Sequence, residues 1–214
     1  MRMRLIDKRS YQKKKPFRDA TLFVVVCEGE RTEPNYFKFF DRLTKRVKVE
    51  PVPSEDGKSA PKHLIENARK AAAKIEAGGD YELWIILDMD AWGEAQIREV
   101  LKRVRDQGSW QVAISNPCFE VWLFNHFMYD QTPEEHNNKC QVWKKALGDL
   151  LPSGFDFQLH PSHLHLAIKQ SKDTYEEEGF LPKLSSTQVF RLGERLYEFC
   201  KDVLPTHTEI KNQK

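Results

Sequence analysis

The sequence predicts an α/β fold, in which a largely parallel, Rossmann-like sheet is flanked by helices and followed by a helical C-terminal extension. Short continuous apolar runs rich in β-branched residues are typical of strands that are buried on both faces. Each run is followed by a segment with apolar residues at helical spacing. Because strands and helices alternate along the chain, we expect parallel strands joined by right-handed crossovers.

The expected sheet begins at Thr21 to Cys27, a run of TLFVVVC that ends before a Glu-Gly pair. Pro34 stands where a first helical position would be, and a helix is expected over Asn35 to Leu43. A weaker strand, Val47 to Val52, then precedes a polar loop. The next helix is expected over Lys62 to Ala77, where a Gly-Gly pair stops it.

Two further strand and helix pairs follow in the same order. Leu83 to Leu87 (LWIIL) is the second fully apolar strand, and Ile97 to Val104 carries the apolar positions of an amphipathic helix. Trp110 to Ile114 is the last expected strand. Ser115-Asn116-Pro117 then predicts a helix start, and the helix that runs to Phe127 is apolar nearly all round.

The rest of the chain is expected to be mostly helical and packed on the core. Helices are expected near Lys139 to Leu150, His163 to Tyr175 and Gln188 to Val203. We therefore expect three parts, which are a basic N-terminal arm (1–20), a catalytic core (21–130) and a helical extension (131–214).

Composition and cysteine usage favour a cytoplasmic protein without membrane association. Hydrophobic residues make up 40% and charged residues 31%, as in ordinary soluble domains. No apolar stretch is long enough to cross a bilayer. The four cysteines lie far apart without a C-x-x-C pair, which argues against a zinc ribbon and favours reduced thiols.

Positive charge is concentrated at the N-terminus. Residues 1–20 contain eight lysines and arginines, among them Lys13, Lys14 and Lys15, and two aspartates, so the remainder is slightly acidic. Lysine and arginine neutralise phosphates and release counterions, so this arm suits a nucleic-acid partner. A solvated, frayed terminus explains the same composition equally well.

Carboxylates follow two of the expected buried strands. Glu28 follows the first strand, and Asp88 and Asp90 follow Leu83 to Leu87. Ligands of open parallel sheets bind beyond the carboxyl ends of the strands, so the three acids meet there if these strands are neighbours. Clustered carboxylates repel one another unless a cation lies among them, and oxygen ligands suit Mg²⁺ or Mn²⁺. Helix capping or a turn is the alternative role for Asp90.

Two of these segments resemble the motifs of a Toprim domain, whose acids hold Mg²⁺. They are V-V-V-C-E-G (Val24 to Gly29) and L-D-M-D-A-W-G (Leu87 to Gly93). Together with C-E-G-E-R-T-E-P-N-Y-F, S-N-P-C-F-E-V-W-L and S-T-Q-V-F-R-L, which begin at Cys27, Ser115 and Ser186, they resemble the RloB-like family. RloB-like proteins are associated with restriction loci and abortive phage infection, often beside an ATPase partner.

The resemblance implies a metal-dependent site. Asp88 and Asp90 would coordinate Mg²⁺ or Mn²⁺, and Glu28 would be a further ligand or a general acid or base in phosphoryl transfer. Primase-like Toprim sites favour an acid at the fourth position after this glutamate, where the chain has Thr32. Glu33 therefore departs from that pattern, and an acid at its position also suits the start of a helix.

Further candidates lie outside the two strand ends. Glu120 is the only carboxylate in the apolar helix expected from Pro117 to Phe127, and we interpret it as a second metal ligand or a base, with a nearby lysine or arginine pair as the alternative. Arg31 suits a phosphate clamp, and Lys169 and Lys172 suit a substrate backbone. Solvated helix faces are the alternative for these three cations.

The sequence thus predicts a Mg²⁺- or Mn²⁺-dependent endonuclease that acts on DNA or RNA in antiphage defence. One alternative is a ribonuclease that processes structured RNA or tRNA. Another is a non-catalytic nucleic-acid-binding module that acts with an ATPase partner, since the chain has no P-loop of its own. The costly acid cluster favours the enzyme. DNA and RNA both fit, and a homo-oligomer remains open.

Overall fold

A computed structural model describes residues 21–44, 46–53, 61–75, 81–90, 92–127 and 139–205. The strands are β1 (Thr21–Val26), β2 (Val47–Val52), β3 (Tyr81–Asp88), β4 (Trp110–Asn116), β5 (Glu177–Glu178), β6 (Leu181–Pro182) and β7 (Ser186–Thr187). The helices are α1 (Thr32–Asp41), α2 (Pro61–Lys74), α3 (Glu94–Arg105), α4 (Glu120–Phe124), α5 (Cys140–Leu150), α6 (Leu164–Thr174) and α7 (Val189–Cys200), with a 3₁₀ turn at His160–His163.

Five strands form one sheet in the order β2-β1-β3-β4-β7. β1 pairs in parallel with both β2 and β3, and β3 pairs in parallel with β4. Only the two-residue β7 runs antiparallel, with Thr187 opposite Ser115. The predicted α/β fold with a largely parallel sheet is therefore confirmed. Because β1 and β3 are neighbours, their carboxyl ends bring Glu28 and Asp88 to the same edge of the sheet.

The sheet separates two apolar layers, which explains why β1 is apolar at every position. Phe23 and Val25 face the layer formed with α1, α4, α5, α6 and α7. Val24 and Val26 face the layer formed with α2 and α3. All four side chains are almost fully buried. A strand that is covered on both faces has no polar side to show, so its sequence does not alternate.

The segment after β4 differs from the sequence prediction. The helix expected from Ser115-Asn116-Pro117 to Phe127 is wrong in extent, because β4 continues through Asn116 and α4 begins only at Glu120. Tertiary contacts extend the strand, since Asn116 lies opposite Ser186 and its side-chain amide donates to the Pro182 carbonyl oxygen at 2.9 Å. Two-residue strands carry no periodic pattern, so β7 and the β5–β6 hairpin were not predicted.

The prediction of four reduced thiols is wrong for two cysteines. Cys118 and Cys140 pair as a disulfide, with their Cα atoms 5.6 Å apart. Cys27 and Cys200 are free and buried. The paired cysteines are 22 residues apart, and folding alone brings them together, so spacing could not reveal the pair.

In the described part of the chain, no helix is both long and apolar enough to span a membrane.

Candidate functional site

Carboxylates from three chain segments surround one cavity at the carboxyl edge of the sheet. The cavity has a volume of about 370 Å³. Its acidic lining residues are Glu28, Glu30, Glu33, Asp88, Asp90 and Glu120. Among the described residues that line it, Lys144 is the only lysine or arginine. The sequence-predicted acids Glu28, Asp88, Asp90 and Glu120 are thus brought together.

A hydrogen bond fixes Glu28 at the junction of β1 and β3. The Asp88 backbone N–H donates to Glu28 Oε2 at 2.9 Å. Burial raises the pKa of Glu28 to about 7, and the nearby Glu33 and Asp90 also raise it, whereas the Asp88 N–H opposes the shift. Glu28 therefore changes its protonation state near neutral pH.

Asp88 carries a buried oxygen that no described residue contacts through a hydrogen bond. Its Oδ1 is shielded from solvent and accepts no hydrogen bond from the described residues. Burial raises the pKa of Asp88 well above its usual value, and Glu33, Glu28, Glu120 and Asp90 raise it further. A buried carboxylate oxygen without a partner is costly, so this atom fits a ligand position for a cation.

The turn that carries Asp90 is held by the segment that follows β4. The Met89 N–H donates to the carbonyl oxygens of Ser115 and Pro117, both at 2.9 Å, and the Asp90 N–H donates to the Pro117 oxygen at 3.0 Å. The Ser-Asn-Pro motif therefore positions the D-x-D motif. This structural role explains why both motifs occur in one site.

Glu33 lies in the first turn of α1 and lines the cavity. Its side chain is buried, and its Oε1 accepts the Gly29 N–H at 3.2 Å. A Cβ atom on Gly29 would overlap the Glu33 carboxylate, so only glycine permits this approach. Burial also raises the pKa of Glu33. The Toprim resemblance places an acid one residue earlier, at Thr32, so Glu33 was not among the predicted site residues.

Glu120 lies at the first position of α4 and meets α5 across the cavity. Its Oε1 lies 3.8 Å from Lys144 Nζ, and its Oε2 lies 3.1 Å from Cys140 Sγ. Burial raises the pKa of Glu120, and Lys144 lowers it. Sequence reasoning missed Lys144, because an exposed lysine on an amphipathic helix carries no signal of its own.

The Cys118–Cys140 disulfide borders this end of the cavity. Ligand atoms of Cys118, Glu120 and Cys140 lie within 4.8 Å of one another. Sulfur binds metals as the thiolate, and the disulfide leaves neither cysteine in that form. The same bond leaves Cys140 no proton to donate, so its approach to Glu120 is a close contact. Of the side chains at the cavity, the carboxylates are therefore the groups that could hold a metal ion.

The described cations that were predicted to bind nucleic acid, Arg31, Lys169 and Lys172, are not among the lining residues of the cavity. Arg31 is exposed and directly precedes α1. Lys169 and Lys172 are exposed on α6, where the Lys172 ammonium donates to Glu194 at 2.7 Å. Lys13, Lys14 and Lys15 lie outside the described residues, as does the whole predicted arm.

The donor set of the cavity fits a hard divalent cation. Oxygen ligands without nitrogen or sulfur suit Mg²⁺ and Mn²⁺, and a cation would relieve both the repulsion among the acids and the unsatisfied Asp88 oxygen. The arrangement can therefore hold such an ion and place a titrating carboxylate, Glu28, beside it.

Comparison with known proteins identifies one family. A family model described as RloB-like protein matches residues 23–196. No curated protein and no solved structure matches the chain. The matched range includes Glu28, Asp88 and Asp90, the Ser-Asn-Pro segment and most of α7.

Proposed function

The chain belongs to the RloB-like family, and we propose that it is a Mg²⁺- or Mn²⁺-dependent nuclease that hydrolyses phosphodiester bonds in antiphage defence. Family membership supports the link to restriction loci and defence. The acid after β1 and the D-x-D pair after its neighbour β3 support the Toprim-like assignment.

One observation carries the chemical part of the proposal. Acids from three separate segments converge on one cavity, and one of them, Asp88, has a buried oxygen without a hydrogen-bond partner in the described part of the chain. Asp88 and Asp90 would hold the cation. When bound, the cation would neutralise charge on the phosphodiester and stabilise the leaving oxygen.

Glu28 is suited to proton transfer. Without a cation, the pKa of this carboxyl group is about 7. A cation bound at Asp88 and Asp90 would lower that pKa and favour the ionised carboxylate, which is the form that accepts a proton. Its Oε2 accepts a hydrogen bond from the Asp88 N–H, which orients the carboxylate to accept a proton from the attacking water. Lys144, beside Glu120, would add positive charge near the bound phosphate.

Cleavage of a mixed substrate panel tests the proposal. Supercoiled DNA, single-stranded DNA and total tRNA are incubated with the full chain and Mg²⁺ or Mn²⁺. We expect cleavage of at least one substrate, abolished by EDTA and by the double substitution Asp88→Ala and Asp90→Ala. The matched control is Asp149→Ala with Asp173→Ala, two exposed acids outside the cavity, which should leave cleavage unchanged. Cleavage that survives loss of Asp88 and Asp90 would refute the assigned site.

A further inference from the structure

The exposed face of α1 carries a row of polar and basic side chains that begins beside the acidic cavity. Arg31, Asn35, Lys38 and Arg42 are four, three and four residues apart, so they lie along one face of the helix. All four are exposed. The ten-residue helix α1 starts at the cavity, where Thr32 and Glu33 line it, and it carries the row about 15 Å away.

The far part of this row forms one wall of a cleft. Asn35, Lys38 and Arg42 line a cleft of about 570 Å³, and the loop 155–158 forms its other wall. The loop contributes the half-buried Phe155 and Phe157, whose ring centroids are 5.2 Å apart.

The aromatic wall is held in place by the core. Phe155 makes ring contacts with Tyr36 and His126, both fully buried. On the helix side, Phe39 packs edge-on against Phe40 and also lines the cleft. The cleft therefore presents fixed aromatic rings opposite long, flexible cations.

The acids of the described part of the chain do not neutralise the cations of the row. Among the described residues, no carboxylate lies within ion-pair distance of Arg31, Lys38 or Arg42. On α3, by contrast, Glu94 and Glu99 each pair with an arginine four residues later. Asp156 is the one acid among the described lining residues of the cleft, and its Oδ1 accepts the Gln158 N–H at 2.8 Å.

We propose that this cleft binds a single-stranded segment of nucleic acid and leads it to the acidic cavity. Lys38 and Arg42 contact phosphates, and Phe157 stacks on a base. Unpaired bases expose the faces that stack on aromatic side chains, whereas bases inside a duplex do not. The row spans about four nucleotides at the ~3.4 Å rise of one strand. This inference rests on the proposed nuclease function and deepens it by assigning unpaired nucleic acid as the substrate class.

Salt-dependent binding tests the phosphate contacts. Anisotropy of fluorescein-labelled 20-nucleotide single strands, DNA and RNA, is measured in EDTA with the full chain. The pair Lys38→Ala and Arg42→Ala should reduce the slope of log affinity against log salt by about 1.4, since each phosphate contact on a single strand contributes about 0.7. The matched control is Lys102→Ala with Arg105→Ala, two exposed cations on α3, which should leave the slope unchanged.

A second variant tests the stacking contact. Phe157→Ala should weaken single-strand binding about tenfold and leave binding of a 20-base-pair duplex unchanged. Three results would overturn the inference. The two lysine-arginine double variants could reduce the salt slope equally, or Phe157→Ala could weaken duplex binding as much as single-strand binding. The third result is that neither the DNA nor the RNA single strand binds. Binding that depends on the cleft without any cleavage would uphold it and contradict the nuclease. Cleavage with an unchanged KM in the Lys38→Ala, Arg42→Ala variant would uphold the nuclease and contradict binding at the cleft.

Discussion

Single carboxylates decide the chemistry of the cavity, because burial and mutual repulsion act on them together. Burial raises the pKa of Glu28 to about 7 and that of Asp88 well above its usual value, and neighbouring acids add to both shifts. Without a cation, the folded protein lowers this repulsion by binding protons. A divalent cation at Asp88 and Asp90 would replace those protons, so proton binding and cation binding are expected to compete.

The substitution Glu28→Gln should stabilise the cation-free protein relative to the native sequence as the pH rises. The folded pKa of Glu28, about 7, lies above its ordinary value of 4.5. Its contribution to stability is therefore complete below pH 4.5 and is lost as the pH rises through 7. At about 1.4 kcal/mol per pKa unit, the free energy of unfolding falls by about 3 kcal/mol. A glutamine is neutral at every pH, so the variant does not lose this stability.

Urea unfolding in EDTA at pH 5 and pH 8 measures this difference. His126, whose pKa burial lowers to about 3, titrates alike in both proteins, so its contribution cancels in the comparison. Parallel pH profiles for the native protein and Glu28→Gln would show that Glu28 does not titrate in an unusual range.

Among the elements, α4 carries a site residue and is fixed by close packing against α6 and α7. α4 carries Glu120 into the cavity and buries Trp122 completely against the C-terminal helices. Gly193 of α7 lies at this contact, and a Cβ atom there would lie 3.0 Å from Trp122 Cη2 and 3.2 Å from Ile168 Cγ1. Both neighbours are ring or branched carbons of a packed core, so they have little room to move. The absence of a side chain at Gly193 therefore sets how closely α7 approaches α4 and α6.

Two glycine-to-alanine substitutions should have opposite effects on stability. In a helix, alanine is favoured over glycine by up to about 1 kcal/mol, and Gly148, exposed on α5 with open space around its Cα, should show that gain. At Gly193 the added methyl group overpacks the core, at a cost of about 1 to 3 kcal/mol, so we expect a net loss of stability. Denaturant unfolding of both variants measures whether each substitution raises or lowers the free energy of unfolding. A stabilising Gly193→Ala would contradict the packing described at α7.

In the molecule as a whole, the elements and site residues that could be predicted are those that a local sequence pattern determines. The buried strands are continuous apolar runs, and the acids at their ends follow directly, so Glu28, Asp88 and Asp90 could be assigned to one edge from these patterns alone. Glu120 was found because a charge stood out in an apolar segment. The parallel direction of β1 to β4 followed from the alternation of strands and helices, whereas the position of β1 beside β3 is seen only in the folded chain.

The remaining features depend on contacts between distant segments. Ser115-Asn116-Pro117 has a helix-start composition, yet pairing of Asn116 with Ser186 extends β4 instead. The Cys118–Cys140 pair, the approach of Lys144 to Glu120 and the cleft between α1 and the loop 155–158 exist only after folding. No local pattern in the sequence encodes them.

Calorimetric titration with Mn²⁺ shows whether the acidic cavity binds a divalent cation through Asp88. Metal-free native protein, Asp88→Asn and the exposed control Asp149→Asn are compared at pH 7.5. We expect the native protein and Asp149→Asn to bind Mn²⁺ alike, and Asp88→Asn to bind it more than about tenfold more weakly, since the loss of even an outer-shell partner costs about that much. Equal Mn²⁺ affinity in Asp88→Asn, or no binding by the folded native protein, would exclude a cation site at Asp88.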